Sequence, residues 1–205
     1  MSCPQCDKPA TASWGAGAAS APGLLSRIKN LVLSPKTGWP AIALEATTLP
    51  QLYLGYVTPL ALLTALTGFL RVSVLDLRMP ISSGLRFAAM LFVSALFGVS
   101  VVGLIIGALA PLFSGSQDQR QAFKVAAYSL TPAMLSSVLA LSPILAMQLQ
   151  LLAALYCIYV LYLGLPLLMR SPRQKAFGYT ASVVICTLLV GVVFAVLSAV
   201  GPHSK

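Results

Sequence analysis

The chain has 205 residues, of which 58% are hydrophobic and only 8% charged. Soluble domains carry roughly 25% charged residues, so a water-facing fold of this composition could not cover its own surface and is excluded. The formal net charge of +9 comes from 13 Lys and Arg against 4 Asp and Glu. These cations sit singly or in small groups between apolar runs, without the dense clusters and interleaved aromatics of a nucleic-acid groove. They therefore read as the cationic bias of membrane-protein loops, with no nucleic-acid partner.

In chain order, residues 1–23 are rich in Ala, Gly, Ser and Pro and read as a flexible tail. They lack the contiguous apolar core of a cleavable signal peptide, so the first span is expected to act as its own insertion signal. Cys3 and Cys6 are spaced as half of a zinc or redox site. The remaining ligand candidates, Cys157, Cys186 and His203, lie in apolar runs or at the far end. An intramolecular four-ligand site is therefore not expected; a pair of cytosolic thiols is the plainer reading, with zinc shared between two chains as the alternative. No cofactor is expected.

Residues 24–50 form an amphipathic membrane-surface segment. Leu24, Leu25, Ile28, Leu31 and Val32 fall on one helical face, and Ser26, Arg27, Lys29 and Asn30 lie largely on the other. This spacing predicts a short interfacial helix, closed by Ser34-Pro35, with Trp39 placed as an interfacial anchor.

Residues 51–200 carry five long apolar runs: Leu52 to Leu70, Phe87 to Phe113, Ala122 to Leu141, Ile144 to Met169 and Tyr179 to Val200. Each reaches the length of about 20 residues that crosses a hydrocarbon core. The fold class is thus all-α, a polytopic transmembrane bundle of five spans preceded by a short amphipathic helix, with residues 201–205 as a C-terminal tail. Lys124, at the start of the third run, is expected to snorkel to the interface. Ser142-Pro143 makes the third and fourth runs a helical hairpin, because proline disfavours helix at the residue before it.

Orientation follows from the cations. Lys8, Arg27, Lys29, Lys36, Arg120, Lys124, Arg170, Arg173 and Lys175 fall on one side, against Arg71, Arg78, Arg86 and Lys205 on the other. The richer side is expected in the cytoplasm with the N-terminus, and the C-terminus outside. The stretch Val72 to Leu85 is expected to lie along the outer interface.

Several residues admit two readings each. Pro132 frees the carbonyl of Tyr128, which Thr131 or Ser129 could re-satisfy; the result is either a hinge or a static kink. Gly164 and Pro166, followed by Arg170, Arg173 and Lys175, either present cations to a lipid or partner or simply set topology. Tyr156, Tyr159 and Tyr162, deep in the fourth run, either line a polar cleft or bond between helices. Gly103 with Gly107, and Gly191 with Ala195 and Ala199, permit close helix contact, within the bundle or between copies.

In these positions the chain resembles the Yip domain family of five-span membrane proteins. The likeness covers nearly everything from Leu24 to Val200 and is carried by "LVLSPKTGWPAIALE", with Trp39, by "LYLGYVTPLALLTAL", and by "AFKVAAYSLTPAML", with Phe123, Lys124, Tyr128, Thr131 and Pro132. The last matching piece is "LYCIYVLYLGLPLLMRSPRQKAFGYT", with Tyr159, Gly164, Pro166, Met169, Lys175 and Gly178 in matching places. Ser114-Gly115 stands where the family usually has paired glycines, and Ala146 and Cys157 occupy usual glycine positions. The resemblance implies five spans and a cytoplasmic N-terminus. It also implies that eukaryotic relatives act in Golgi and endoplasmic-reticulum traffic, binding lipidated Rab-type GTPases. The short tail is similar to the bacterial branch, so an inner-membrane location is expected, with a Golgi or endoplasmic-reticulum membrane as the alternative, and the trafficking role is not carried across.

No catalytic constellation is legible. The acids Asp7, Glu45, Asp76 and Asp118 all lie outside the apolar runs, and no base shares a span with the many Ser and Thr hydroxyls. The expected function is a non-enzymatic scaffold or adaptor whose partners are membrane lipids, other membrane proteins or further copies of itself. A transporter or channel for a small uncharged or zwitterionic solute, or a lipid-chain binder, are the alternatives; the absence of an ionised group at depth argues against cation-coupled transport.

Overall fold

The computed structural model describes residues 28–29, 31–32, 35–45, 47–75, 80–139 and 143–200. The tail with Cys3 and Cys6, most of the expected interfacial helix from Leu24 to Leu33, and residues 201–205 with His203 lie outside the described residues. All regular structure among the described residues is helical.

A short helix α1, Pro35–Leu44, precedes the bundle. Helix α2, Leu49–Leu75, starts with the Gln51 side chain accepting from the Thr48 N–H. It widens to a π-turn at Tyr53–Val57, just ahead of Pro59, whose missing N–H leaves a carbonyl one turn back without its helical bond. Helix α3 runs Ile81–Leu109 and tightens into a 3₁₀ turn, Ala110–Phe113. Helices α4, Gln119–Ser129, and α5, Thr131–Leu139, follow. Helix α6 is Pro143–Leu168, and α7, Ala176–Val200, closes the bundle after a 3₁₀ turn at Arg173–Lys175.

Among the described residues, four stretches are long and apolar enough to cross a membrane: Leu49–Leu75, Ile81–Phe113, Met147–Leu168 and Arg173–Phe194. They coincide with four of the five expected runs. The third run is instead two short helices. The break falls at Leu130, φ −85° and ψ −6°, two residues before Pro132, whose ring cannot continue the helical ladder. The stretch expected along the outer interface is also different: Val72–Leu75 completes α2, and Ile81–Leu85 begins α3. Local helical bonding keeps the backbone satisfied further out than hydropathy alone indicates.

The pair α4–α5 packs against α2, α3 and α6, whereas α7 closes the outside against α3 and α6. The tightest approaches use glycine. A Cβ on Gly84 would fall 1.8 Å from the Ser73 hydroxyl, and one on Gly103 would fall 2.9 Å from the Phe123 ring. Gly103 and Gly107 therefore pack within the bundle. Gly191 has nothing within 4 Å among the described residues.

Candidate functional site

Most of the matching residues from Trp39 to Gly164, scattered along the sequence, are buried together in one region of the bundle, and Tyr159 is the exception. Helix α1 lies on α6 because Gly164 has no side chain: a Cβ there would stand 2.5 Å from the Trp39 ring. Trp39 is only 1% exposed, so its ring clamps α1 to the bundle and does not sit among headgroups as an interfacial anchor would. Its edge meets Tyr128, with ring centroids 6.3 Å apart, and Tyr128 packs on Tyr56 at 4.5 Å. The Tyr56 and Thr131 hydroxyls are 2.8 Å apart, and Thr131 Oγ1 donates to the Ala127 carbonyl at 3.1 Å. Thr131 thus bonds one turn back along α4, not to the Tyr128 carbonyl, and Ser129 Oγ has no hydrogen-bond partner among the described residues.

Lys124 does not snorkel. It is buried, and its ammonium donates to the Glu45 backbone carbonyl just past the end of α1. A lysine beside an apolar run normally reaches outward. Here the chain leaving α1 returns over α4 and brings the Glu45 carbonyl within hydrogen-bond reach. Phe123, one residue earlier, tilts against Tyr53 with centroids 6.1 Å apart.

Two loops are tied to one another. Ser116 N–H donates to the Met169 carbonyl at 2.6 Å, and Lys175 Nζ donates to Ser114 Oγ at 3.0 Å. Tyr179 donates to the Ile106 carbonyl at 2.6 Å and stacks on Phe113 with centroids 4.9 Å apart. The α3–α4 loop, the α6–α7 loop and α1 therefore share one end, which gathers Arg120, Lys124, Arg170, Arg173 and Lys175.

Two non-glycine residues here have positive φ, Ser114 at 56° and Arg170 at 50°. Left-handed backbone costs an L-residue about 1–2 kcal/mol. Arg170 terminates α6 in the position where glycine would be relaxed. Its side chain lines a groove of about 610 Å³ together with Arg173, Ser171, Trp39, Pro166 and Tyr162. Lys175 is committed to Ser114, so the structure joins Arg170 with Arg173 and separates Lys175 from them.

The three tyrosines of α6 do not form a polar cleft. Tyr156 donates to the Val32 carbonyl at 2.7 Å, holding the chain before α1 against the bundle. Leu31, beside that carbonyl, is fully buried. Tyr159 and Tyr162 face outward along an apolar groove of about 480 Å³ between α6 and α7, also lined by Leu155, Ile158, Phe177 and Ile185. A separate cavity of about 220 Å³ lies beside the Leu130 break, lined by Ser129, Cys157, Leu161 and Thr187 among others.

The sequence profile described as the Yip1 domain matches residues 29–195. The chain belongs to the Yip1 domain family. Curated relatives are the inner membrane protein YohC of Escherichia coli strain K12 and the same protein of strain O6:H1. Each is 25% identical over 178 residues, covering 82% of this chain and 89% of the relative. No solved structure shows a significant match. As a member of this family with four helices among the described residues long and apolar enough to span, the chain is an integral membrane protein.

In this Yip1 domain, Trp39, Lys124, Tyr128, Thr131, Pro132 and Gly164 are buried in one packed region, with Phe123 half-buried at its edge. Pro166 lines the basic groove, Lys175 latches two loops, and Tyr159 faces outward. Tyr56 and Ser171 were missed by the sequence reading. A tyrosine inside an apolar run signals the first, because its hydroxyl needs a partner. Only the tertiary fold signals the second.

Proposed function

We propose that this Yip1-domain protein is a non-enzymatic membrane scaffold with five spans, whose cation-rich end and outer grooves organise lipids and membrane proteins. One observation carries the reading: the family-matching side chains are mostly spent on packing and on each other, while what faces outward is an apolar groove ending at Arg170 and Arg173. Residues available to a second molecule are therefore suited to holding lipid or a partner helix.

The five-span topology rests on α4 and α5 acting as one broken span. From Gln119 to Leu139 they would cover about 30 Å, enough for the hydrocarbon core. A break buried among neighbouring helices is tolerated at that depth. The cation count puts the Arg170 end, with the N-terminus, in the cytoplasm and the C-terminus outside. The name of the E. coli relatives supports a bacterial inner membrane.

Cross-linking in cells followed by purification tests the scaffold. Recovery of a defined oligomer or of specific membrane partners is expected, and a lone monomer would overturn the reading. Reporter fusions at each end test the topology, with both ends in one compartment ruling out five spans.

A second reading, transport of a small uncharged or zwitterionic solute, draws on the cavity beside the Leu130 break. Uptake by reconstituted vesicles would establish it, and no uptake across a broad solute panel would remove it.

A further inference from the structure

We propose that the groove between Trp39 and the α6–α7 loop is a binding site for an anionic phospholipid, with the phosphate held between Arg170 and Arg173 and an acyl chain along α6 and α7. The proposal deepens the scaffold reading and rests on it for the presence of a bilayer.

Three observations converge. The first is charge: the mouth of the groove carries two guanidinium groups, and no acid lines it among the described residues. Arginine's planar donor fork matches a phosphate. The second is the floor. Trp39 Nε1 and Ser171 Oγ are buried without a hydrogen-bond partner among the described residues, on side chains 1% and 6% exposed. Buried polar groups are nearly always satisfied, so two orphans on residues that line one groove leave room for an outside acceptor. A phosphate entering the groove would bring oxygens toward both residues. The third is continuity. Tyr162 lines both this groove and the apolar groove of Leu155, Ile158, Phe177 and Ile185, so a polar mouth opens directly onto a lipid-facing channel. A free anion would use only the mouth, whereas a phospholipid fits both parts.

The test uses the full chain with Trp14→Phe, delipidated in neutral detergent, so that Trp39 is the only indole. Phosphatidylglycerol with brominated acyl chains should quench Trp39 at concentrations about thirtyfold lower than brominated phosphatidylcholine, a preference of the size expected for two interfacial arginines. Arg170→Gln with Arg173→Gln should abolish that preference while the thermal midpoint stays unchanged. Ser171→Ala should weaken phosphatidylglycerol binding about tenfold or more, as loss of a hydrogen bond to a charged group does. Millimolar inorganic phosphate should not displace the lipid. Equal quenching by both lipids, or an unchanged preference in the arginine double variant, would overturn the proposal. Full displacement by inorganic phosphate would overturn its lipid part and leave an anion site. Loss of this binding with partners still recovered after cross-linking would sink the lipid site alone.

Discussion

Helix α3 continues through Phe113 without a break, whereas the α4–α5 pair packed beside it is interrupted at Leu130. On α3, Leu85, Met90, Val93, Phe97 and Leu104 are exposed on the outer face. On α4, every residue from Lys124 to Ser129 is buried, including a lysine, a tyrosine and a serine. The more polar segment is the more enclosed one. In a bilayer an apolar side chain gains nothing from leaving lipid for protein, so hydropathy reports lipid contact and not burial. A central helix, ringed by protein, can carry an ammonium because the chain just past α1 brings an acceptor to it.

The largest test of this contrast is Trp39→Ala. Removing a fully enclosed indole from between α1, α4 and α6 should destabilise the folded chain by about 3–5 kcal/mol. Leu104→Ala, on the lipid face of α3, should cost under about 1 kcal/mol, since lipid refills the space. Denaturant titration in mixed micelles compares the two. Similar losses would mean that α1 is no part of the core.

Gly164→Ala should cost about 1–3 kcal/mol, because its Cβ would overlap the Trp39 ring and α6 cannot retreat. In a Trp39→Ala background the cost should vanish, giving a coupling that the same titration reads. Additive losses would place the clash elsewhere.

Tyr56→Phe and Thr131→Val each remove one side of a buried hydroxyl pair. Their coupling in a double-mutant cycle should be about 0.6–2 kcal/mol, the range for hydrogen bonds between membrane helices. No coupling would show that the α4–α5 pair is held by packing alone.

Most of this fold was readable because lipid imposes length and apolarity on any helix it touches. The runs ending at Phe113, Met169 and Val200 fall close to the ends of α3, α6 and α7. What was not readable lies where protein replaces lipid or water. Lys124 looked like a snorkelling residue, since nothing local reveals that the Glu45 carbonyl comes back over it. Trp39 looked interfacial by composition, and only the bare backbone of Gly164 explains its burial. The motif residues were found by family resemblance, which signals that positions matter without saying that they touch. Arg170 and Arg173 were picked out as contact candidates by charge. The separation of Lys175 from them depends on Ser114, sixty-one positions away in sequence.

Ser114 gives the smallest effect and a change of sign. It sits at φ 56° where the family commonly has glycine, directly after the 3₁₀ turn that ends α3. Ser114→Gly relieves a left-handed backbone but loses the acceptor for Lys175 and loosens the unfolded chain. The relief of about 1–2 kcal/mol exceeds an exposed hydrogen bond and the added chain entropy by a narrow margin. A net stabilisation of about 0.5 kcal/mol is expected. In a Lys175→Ala background the lost acceptor no longer counts, so the gain should grow. If Ser114→Gly destabilises in both backgrounds, the turn after α3 is held by the serine hydroxyl, and backbone strain there does not decide how the loops join.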